Sequence, residues 1–134
     1  MSILASPKFL RTVMLADAAS CLATGAAQLA FTAPLAQWLQ LPAALLLGTG
    51  WFLLAYAAAA VFVGTRQPVP RGWVGLFAAG NLGWAVGCGA LPALGLVAPS
   101  ALGIAFLAAQ ALTVLVLADL QWMALRRQRV VGWA

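Results

Sequence analysis

The residues best suited to chemistry form a polar series in the first apolar segment, most of them three or four positions apart: Asp17, Ser20, Cys21, Thr24 and Gln28. In a helix, this spacing places the side chains on one stripe of the surface. A carboxyl group at the centre of a bilayer costs about 2.5 to 3.5 kcal/mol, so Asp17 is expected to face other helices or water. The stripe therefore predicts either a site that exchanges a proton or a cation, or a seam of hydrogen bonds between helices.

Each of the other three apolar segments has one strong hydrogen-bonding residue at a depth similar to that of Asp17: Tyr56, Asn81 and Asp119. Counted at 1.5 Å per residue from the nearest basic residue, Asp17 lies roughly 9 Å and these three groups roughly 10 to 15 Å into their segments. They predict a shared polar layer, although Asp119 could instead be an interfacial charge beside an arginine. In a carrier, Asp17 would exchange the proton or cation, and the ligand would contact four further candidates: Tyr56, Asn81, Gln28 and Trp84.

The scarcity of ionisable side chains limits the chemistry further. Asp17 and Asp119 are the only acidic residues, and histidine is absent, so we expect no metal site and no cofactor. Cys21 and Cys88 lie at depths that differ by roughly 9 Å, whereas a disulfide needs Cα atoms within about 7 Å. An enzyme would need both aspartates to act together, and helical spacing turns Asp119 away from the polar face. An enzymatic function is therefore disfavoured.

The composition is typical of an integral membrane protein. Hydrophobic residues make up 65% of the 134 positions and charged residues 7%, and the mean hydropathy is +1.02. Soluble domains are closer to half apolar and a quarter charged. The sequence predicts one all-α domain over residues 1–134, a bundle of four transmembrane helices joined in part by a turn between Pro34 and Pro42. These helices are expected at about 12–31, 42–64, 73–90 and 100–125.

The basic residues predict the orientation. All seven lie in the N-terminal lead, the middle loop or the C-terminal tail: Lys8, Arg11, Arg66, Arg71, Arg126, Arg127 and Arg129. Because basic loops stay on the cytoplasmic side, both termini are predicted to be cytoplasmic in a multi-pass protein of the cell membrane, the inner membrane in a Gram-negative bacterium. The charges therefore require no nucleic-acid partner, and membrane lipid is the expected one.

Small residues in the third segment predict a packing surface. Gly80, Gly83 and Gly87 lie close together, and the last two form a GxxxG pair. Such residues let two helices approach closely, either within the bundle or between the subunits of a homodimer. Trp51 and Trp84 fall near mid-membrane, where they could pack against glycine or line a pocket for a small apolar or cationic ligand.

The spacing also suggests an internal repeat. Asp17 and Gly25 are eight positions apart, as are Asn81 and Gly89, and the first and third helices point the same way. Two parallel helical hairpins, related by an axis along the membrane normal, would place these pairs alike. The alternative is a chance match in an alanine-rich sequence.

The predicted architecture resembles that of the small multidrug-resistance transporters, which have four helices, a membrane carboxylate in the first and aromatic residues lining the binding site. The resemblance covers architecture alone, because their carboxylate is a glutamate in a local motif, whereas Asp17 lies within the stretch 15–20, LADAAS. It implies proton-coupled export by a dimer. Two functions remain open: a dimeric carrier coupled through Asp17, and a non-catalytic module that binds lipid or scaffolds a partner membrane protein.

Overall fold

The structure, a computed structural model, describes residues 3–131, and of their side chains those up to Gln128. Helices are the only regular secondary structure in this part of the chain. A 3-10 turn, Ile3–Ala5, precedes five α-helices: α1 Pro7–Ala30, α2 Thr32–Leu39, α3 Ala43–Gly64, α4 Arg71–Ala93 and α5 Ala101–Val131. Four of them, α1, α3, α4 and α5, are long and apolar enough to cross a membrane. The predicted all-α class with four long apolar helices is confirmed.

The first helix begins earlier than the hydrophobic pattern indicated. The side chain of Ser6 accepts a hydrogen bond from the backbone N–H of Lys8, and Pro7 occupies the first helical position. Both features favour a helix start, because the first N–H groups of a helix have no partner within it. The helix therefore includes Lys8 and Arg11, which the sequence had placed before it.

The stretch predicted as a turn between Pro34 and Pro42 is mostly helical. Pro34 lies in the first turn of α2, where its missing N–H costs no hydrogen bond. The helix ends at Leu39 and is followed by Gln40, whose backbone is left-handed with φ of 54°. Pro42 then precedes α3. A proline therefore does not mark the absence of a helix here, because its position within the helix decides its effect.

The four long helices form two tight hairpin pairs. Helix α1 packs along α3 and α4 packs along α5, and α1 against α5 is the main contact between the pairs, whereas α3 and α4 barely touch. Gly25 and Gly50 allow the close approach in the first pair, since a Cβ atom at Gly25 would lie 2.9 Å from the carbonyl oxygen of Gly50. The separation of α3 from α4 leaves room for a cavity.

The two ends of the bundle are closed by different contacts. At the end that carries the basic residues, here called the basic end, Arg71 donates hydrogen bonds to the side chain of Gln128 and to the carbonyl of Leu125. At the opposite end, the hydroxyl of Ser100 donates to the carbonyl of Trp38, which ties α2 to the start of α5. A buried apolar core fills the basic half of the bundle: Leu10, Met14, Ala18, Ala60, Val63, Val74, Phe77, Ala124 and Leu125.

Candidate functional site

A buried group of polar side chains joins all four long helices, and we call it the polar cluster: Asp17, Cys21, Tyr56, Asn81 and Gln121. The Oδ2 atom of Asp17 accepts hydrogen bonds from Nδ2 of Asn81 at 2.8 Å and from Nε2 of Gln121 at 2.9 Å. The same Asn81 nitrogen lies 3.3 Å from Oε1 of Gln121. Asp17, Asn81 and Gln121 are at most 2% exposed. The cluster thus links the four long helices through a largely buried hydrogen-bond network.

The other two members complete the network from the first hairpin pair. The hydroxyl of Tyr56 donates to the carbonyl of Phe77 at 3.1 Å and lies 3.4 Å from Oδ1 of Asn81. The thiol of Cys21, one helical turn after Asp17, lies 3.6 Å from Oδ1 of the carboxylate. The structure therefore brings together three of the predicted site residues, Asp17, Tyr56 and Asn81.

The Asp17 carboxylate has no cationic partner among the side chains that the structure describes. Its hydrogen bonds come from two neutral amides and one thiol. Both amides share Oδ2, so Oδ1 has only the weak thiol donor. A carboxylate in an apolar interior is costly unless a countercharge or a proton neutralises it. Among these neutral partners, Asp17 can therefore be neutralised only by a proton or by a cation that enters the cluster.

The sequence offered two interpretations of Asp119, a member of the polar layer or an interfacial charge, and the structure excludes the first. Asp119 is exposed on the outside of the bundle, whereas Gln121 is fully buried and faces Asp17. Two residues correspond to about 200° around a helix, so the two side chains must point in opposite directions. A signal for Gln121 was present, because Gln110 lies eleven residues earlier, or about three turns, on the same face.

Gln28 shares the stripe of Asp17 but lies in a different part of the bundle. Eleven residues separate them, which is about 16 Å along the helix. Gln28 is 2% exposed, and its Oε1 atom lies 2.8 Å from the hydroxyl of Thr49 on α3. The hydrogen-bonding role predicted for Gln28 therefore does not involve the polar cluster.

A cavity of about 330 Å³ lies between α3 and α4, and we call it the α3/α4 cavity. Gln28, Thr49, Phe52, Trp84 and Gln110 are among its lining residues. The ring of Phe52 stacks on Trp84 with centroids 5.8 Å apart and an interplanar angle of 9°. The indole N–H of Trp84 donates to Oε1 of Gln110 at 2.9 Å. Trp84 thus forms a wall of this cavity, as the sequence suggested it could, whereas Trp51 is 65% exposed on the outside.

A smaller cavity of about 90 Å³ lies beside the polar cluster. It shares Phe52 and Trp84 with the α3/α4 cavity and is also lined by Tyr56 and Asn81. Asp17 does not line either cavity, whereas its hydrogen-bond partners Asn81 and Cys21, together with Tyr56, line the smaller one. A ligand that reaches the smaller cavity would therefore act on Asp17 through Asn81 or Cys21.

The three candidate packing glycines have different surroundings. A Cβ atom at Gly80 would lie 3.5 Å from the hydroxyl of Tyr56, so this glycine packs within the bundle. Gly83 and Gly87 have nothing within 4 Å of that position and line the α3/α4 cavity instead. Packing of Gly83 and Gly87 against a second subunit stays a prediction.

The remaining reactive side chains do not form a second centre in the described part of the chain. Cys21 and Cys88 are both buried and free. No group of three acidic, histidine or cysteine side chains that could hold a metal ion occurs between residues 3 and 128. The polar cluster and the α3/α4 cavity are therefore the features from which a function must be argued.

No family model, curated protein or solved structure matches this chain. The fold class consequently rests on the helices themselves. Function has to be inferred from the arrangement of the polar cluster and the cavity.

Proposed function

We propose that the protein is a small multi-pass carrier of the cell membrane, with both termini in the cytoplasm, that couples a proton or a cation to the movement of a small apolar substrate. The observation that carries this proposal is the Asp17 carboxylate, which is buried among neutral partners where all four long helices meet. The substrate occupies the α3/α4 cavity, and it is either uncharged or cationic.

The position of Asp17 between the hairpin pairs supports coupling. Asp17 and Tyr56 belong to the α1/α3 pair, and their partners Asn81 and Gln121 belong to the α4/α5 pair. Hydrogen bonds to a charged carboxylate are roughly twice as strong as those between neutral groups. Neutralising Asp17 therefore weakens the hydrogen bonds that hold the two pairs together, and it favours their relative movement.

The cavity supplies the second half of the proposal. Phe52 and Trp84 border both cavities, so a substrate in the larger one lies beside the space that Asn81 and Tyr56 face. A substrate that moves the Asn81 amide changes the hydrogen bonding of Asp17. Proton or cation exchange at Asp17 and substrate binding are linked in this way. Linkage requires that the substrate change the affinity of Asp17 for the proton or cation by the same factor by which the proton or cation changes the affinity for the substrate.

We propose a homodimer as the working unit, with membrane lipid around it. The α3/α4 cavity is bordered by Gly83 and Gly87, at which an added Cβ atom would meet nothing within 4 Å. A second subunit against this face would close the cavity from lipid.

Proton flux in proteoliposomes tests the carrier. An imposed pH gradient is followed with an internal pH dye while tetraphenylphosphonium, an apolar cation, or 9-fluorenone, an uncharged apolar ketone, is added. Wild-type protein should change the rate of proton flux with at least one probe, and Asp17→Asn should abolish the response. Asp119→Asn is the matched control and should respond like wild type, because Asp119 is exposed outside the cluster.

A non-catalytic module that binds lipid or scaffolds a partner membrane protein is the second candidate. It is favoured by the closure of the polar cluster, since every fully buried side-chain nitrogen or oxygen in the described residues has a hydrogen-bond partner. Polar groups in membrane bundles often serve packing in this way. Two results together would support this function instead. Proton flux through the wild-type protein would not change with either probe, and Asp17→Asn would co-purify with the same lipid as wild type.

A further inference from the structure

The α3/α4 cavity contains an amide group whose orientation is fixed by its neighbour. The indole N–H of Trp84 lies 2.9 Å from the side-chain amide of Gln110. Because an indole nitrogen can only donate a hydrogen bond, the amide must present its carbonyl oxygen to Trp84. The Nε2 amino group of Gln110 then has two N–H donors, and it finds no acceptor among the described residues. Gln110 therefore offers free donors beside the two cavities that it lines, the α3/α4 cavity and one of about 230 Å³.

A second amide in the same cavity is also incompletely paired. Gln28 lies 2.8 Å from the hydroxyl of Thr49, and that hydroxyl also lies 2.6 Å from the carbonyl of Leu45. A hydroxyl has a single proton, so it donates to one of these oxygens at a time. In the arrangement that the structure shows, the Nε2 group of Gln28 has no acceptor within residues 3–128. Since no enclosed side-chain nitrogen in that part of the chain lacks a partner, this amino group must reach open space.

The rest of the cavity wall is apolar. Phe52 and Trp84 stack almost parallel and provide an aromatic surface. Leucine and phenylalanine side chains supply most of the remaining wall: Leu41, Leu45, Leu46, Leu91, Phe106 and Leu107. No charged side chain of the described residues lines the cavity, and Asp17 is absent from its wall. A cation in this space would have aromatic faces but no countercharge, whereas the free N–H groups would repel it.

We infer that the α3/α4 cavity binds a flat, uncharged, apolar molecule that carries a carbonyl-type hydrogen-bond acceptor, which Gln110 and Gln28 recognise while Phe52 and Trp84 contact its ring. Buried donors that remain unpaired are costly, so a ligand without an acceptor is discriminated against. This inference names the substrate class of the proposed carrier, and it rests on the proposed function only for the statement that the occupant is transported.

Two probes of one shape test the acceptor requirement. 9-Fluorenone and fluorene have the same fused-ring skeleton, but only the first has a carbonyl group. Binding is measured by calorimetry on the full chain in lipid nanodiscs, with empty nanodiscs to subtract partitioning into lipid. Wild-type protein should bind 9-fluorenone saturably and about ten-fold more tightly than fluorene, the difference expected for one to two hydrogen bonds.

A nearly isosteric variant shows which residue supplies the donor. Gln110→Met should bring the affinity for 9-fluorenone down to that for fluorene and leave fluorene binding unchanged. Gln37→Met makes the same change at an exposed position outside the cavity and should behave like wild type. The comparison of the two probes on wild-type protein needs no variant. It therefore tests the acceptor requirement even if Gln110→Met fails to fold.

The outcomes separate this inference from the proposed function. Equal binding of the two probes, or binding of tetraphenylphosphonium in preference to both, overturns the inference. Carbonyl-dependent binding that Gln110→Met removes supports it. If that binding is present but produces no Asp17-dependent proton flux, the ligand class stands and the carrier is overturned.

Discussion

The amide nitrogen of Gln121 lies 2.9 Å from the carboxylate oxygen Oδ2 of Asp17, although the two residues are 104 positions apart in the chain. Asn81 donates to the same oxygen from α4. One atom of the first long helix thus binds groups from both helices of the second hairpin pair. The stability of the bundle should depend on this oxygen and its two donors.

Replacing Gln121 tests that dependence. Gln121→Leu removes a donor from a buried carboxylate, and we expect the free energy of unfolding to fall by about 1 to 3 kcal/mol. Unfolding is followed by circular dichroism as the mole fraction of dodecyl sulfate rises. Asp119→Leu, on the same helix but exposed, should change the free energy by less than about 0.5 kcal/mol. Equal effects of the two substitutions would contradict the assignment of Gln121 to the cluster.

The close approach of α1 to α3 makes a second prediction. A Cβ atom at Gly25 would lie 2.9 Å from the carbonyl oxygen of Gly50 and 3.1 Å from Cβ of Leu53, so Gly25→Ala must push the helices apart. We expect a loss of about 1 to 3 kcal/mol in the same unfolding assay. At Gly48 the added atom meets nothing within 4 Å.

Gly48→Ala is therefore the matched control for Gly25→Ala. It should be neutral or slightly stabilising, because alanine favours a helix more than glycine does and no contact is disturbed. If both variants have the stability of wild type, α1 and α3 do not meet at Gly25.

Filling the α3/α4 cavity should block it without disturbing the fold. A Cβ atom at Gly87 is free of neighbours within 4 Å, and Gly87 lines the cavity. We expect Gly87→Leu to reduce the affinity for 9-fluorenone at least ten-fold, since the leucine occupies part of the volume of about 330 Å³. Calorimetry in nanodiscs measures the affinity, and circular dichroism measures the helix content.

The control for cavity filling is two residues away. Gly89 is also free of neighbours but does not line the cavity, so Gly89→Leu should retain wild-type affinity. Loss of binding in both variants would point to a general effect of leucine on α4, and the cavity would no longer explain the result.

The proposed orientation can be checked with single cysteines and a membrane-impermeant maleimide. Both native cysteines are buried, so wild-type protein provides the background. Ala98 lies in the loop before α5 and Gln67 in the loop between α3 and α4, and both are exposed. In spheroplasts, Ala98→Cys should be labelled, whereas Gln67→Cys should react only after lysis. The reverse pattern would place the termini outside the cell.

The sequence by itself determined the all-helical class of the protein and the number and approximate positions of its four long helices. A composition with 65% hydrophobic residues is typical of a protein surrounded by lipid. Long apolar segments separated by charged or proline-containing loops identify the helices. The sequence also identified Asp17, Tyr56 and Asn81 as polar groups at a similar depth, because depth depends only on counting residues along a helix.

Only the tertiary structure decided which way each helix turns around its own axis. Alanine, glycine and leucine surround most polar residues, so the hydrophobic pattern gives little information about the inward face. For that reason the sequence did not show that Gln121, and not Asp119, reaches Asp17. It also did not show that Gly83 and Gly87 border a cavity and do not pack against a neighbouring helix. The free donors of Gln110 likewise depend on its pairing with Trp84, a contact between two helices. Rotation and pairing depend on contacts between distant residues, and these form only when the helices pack.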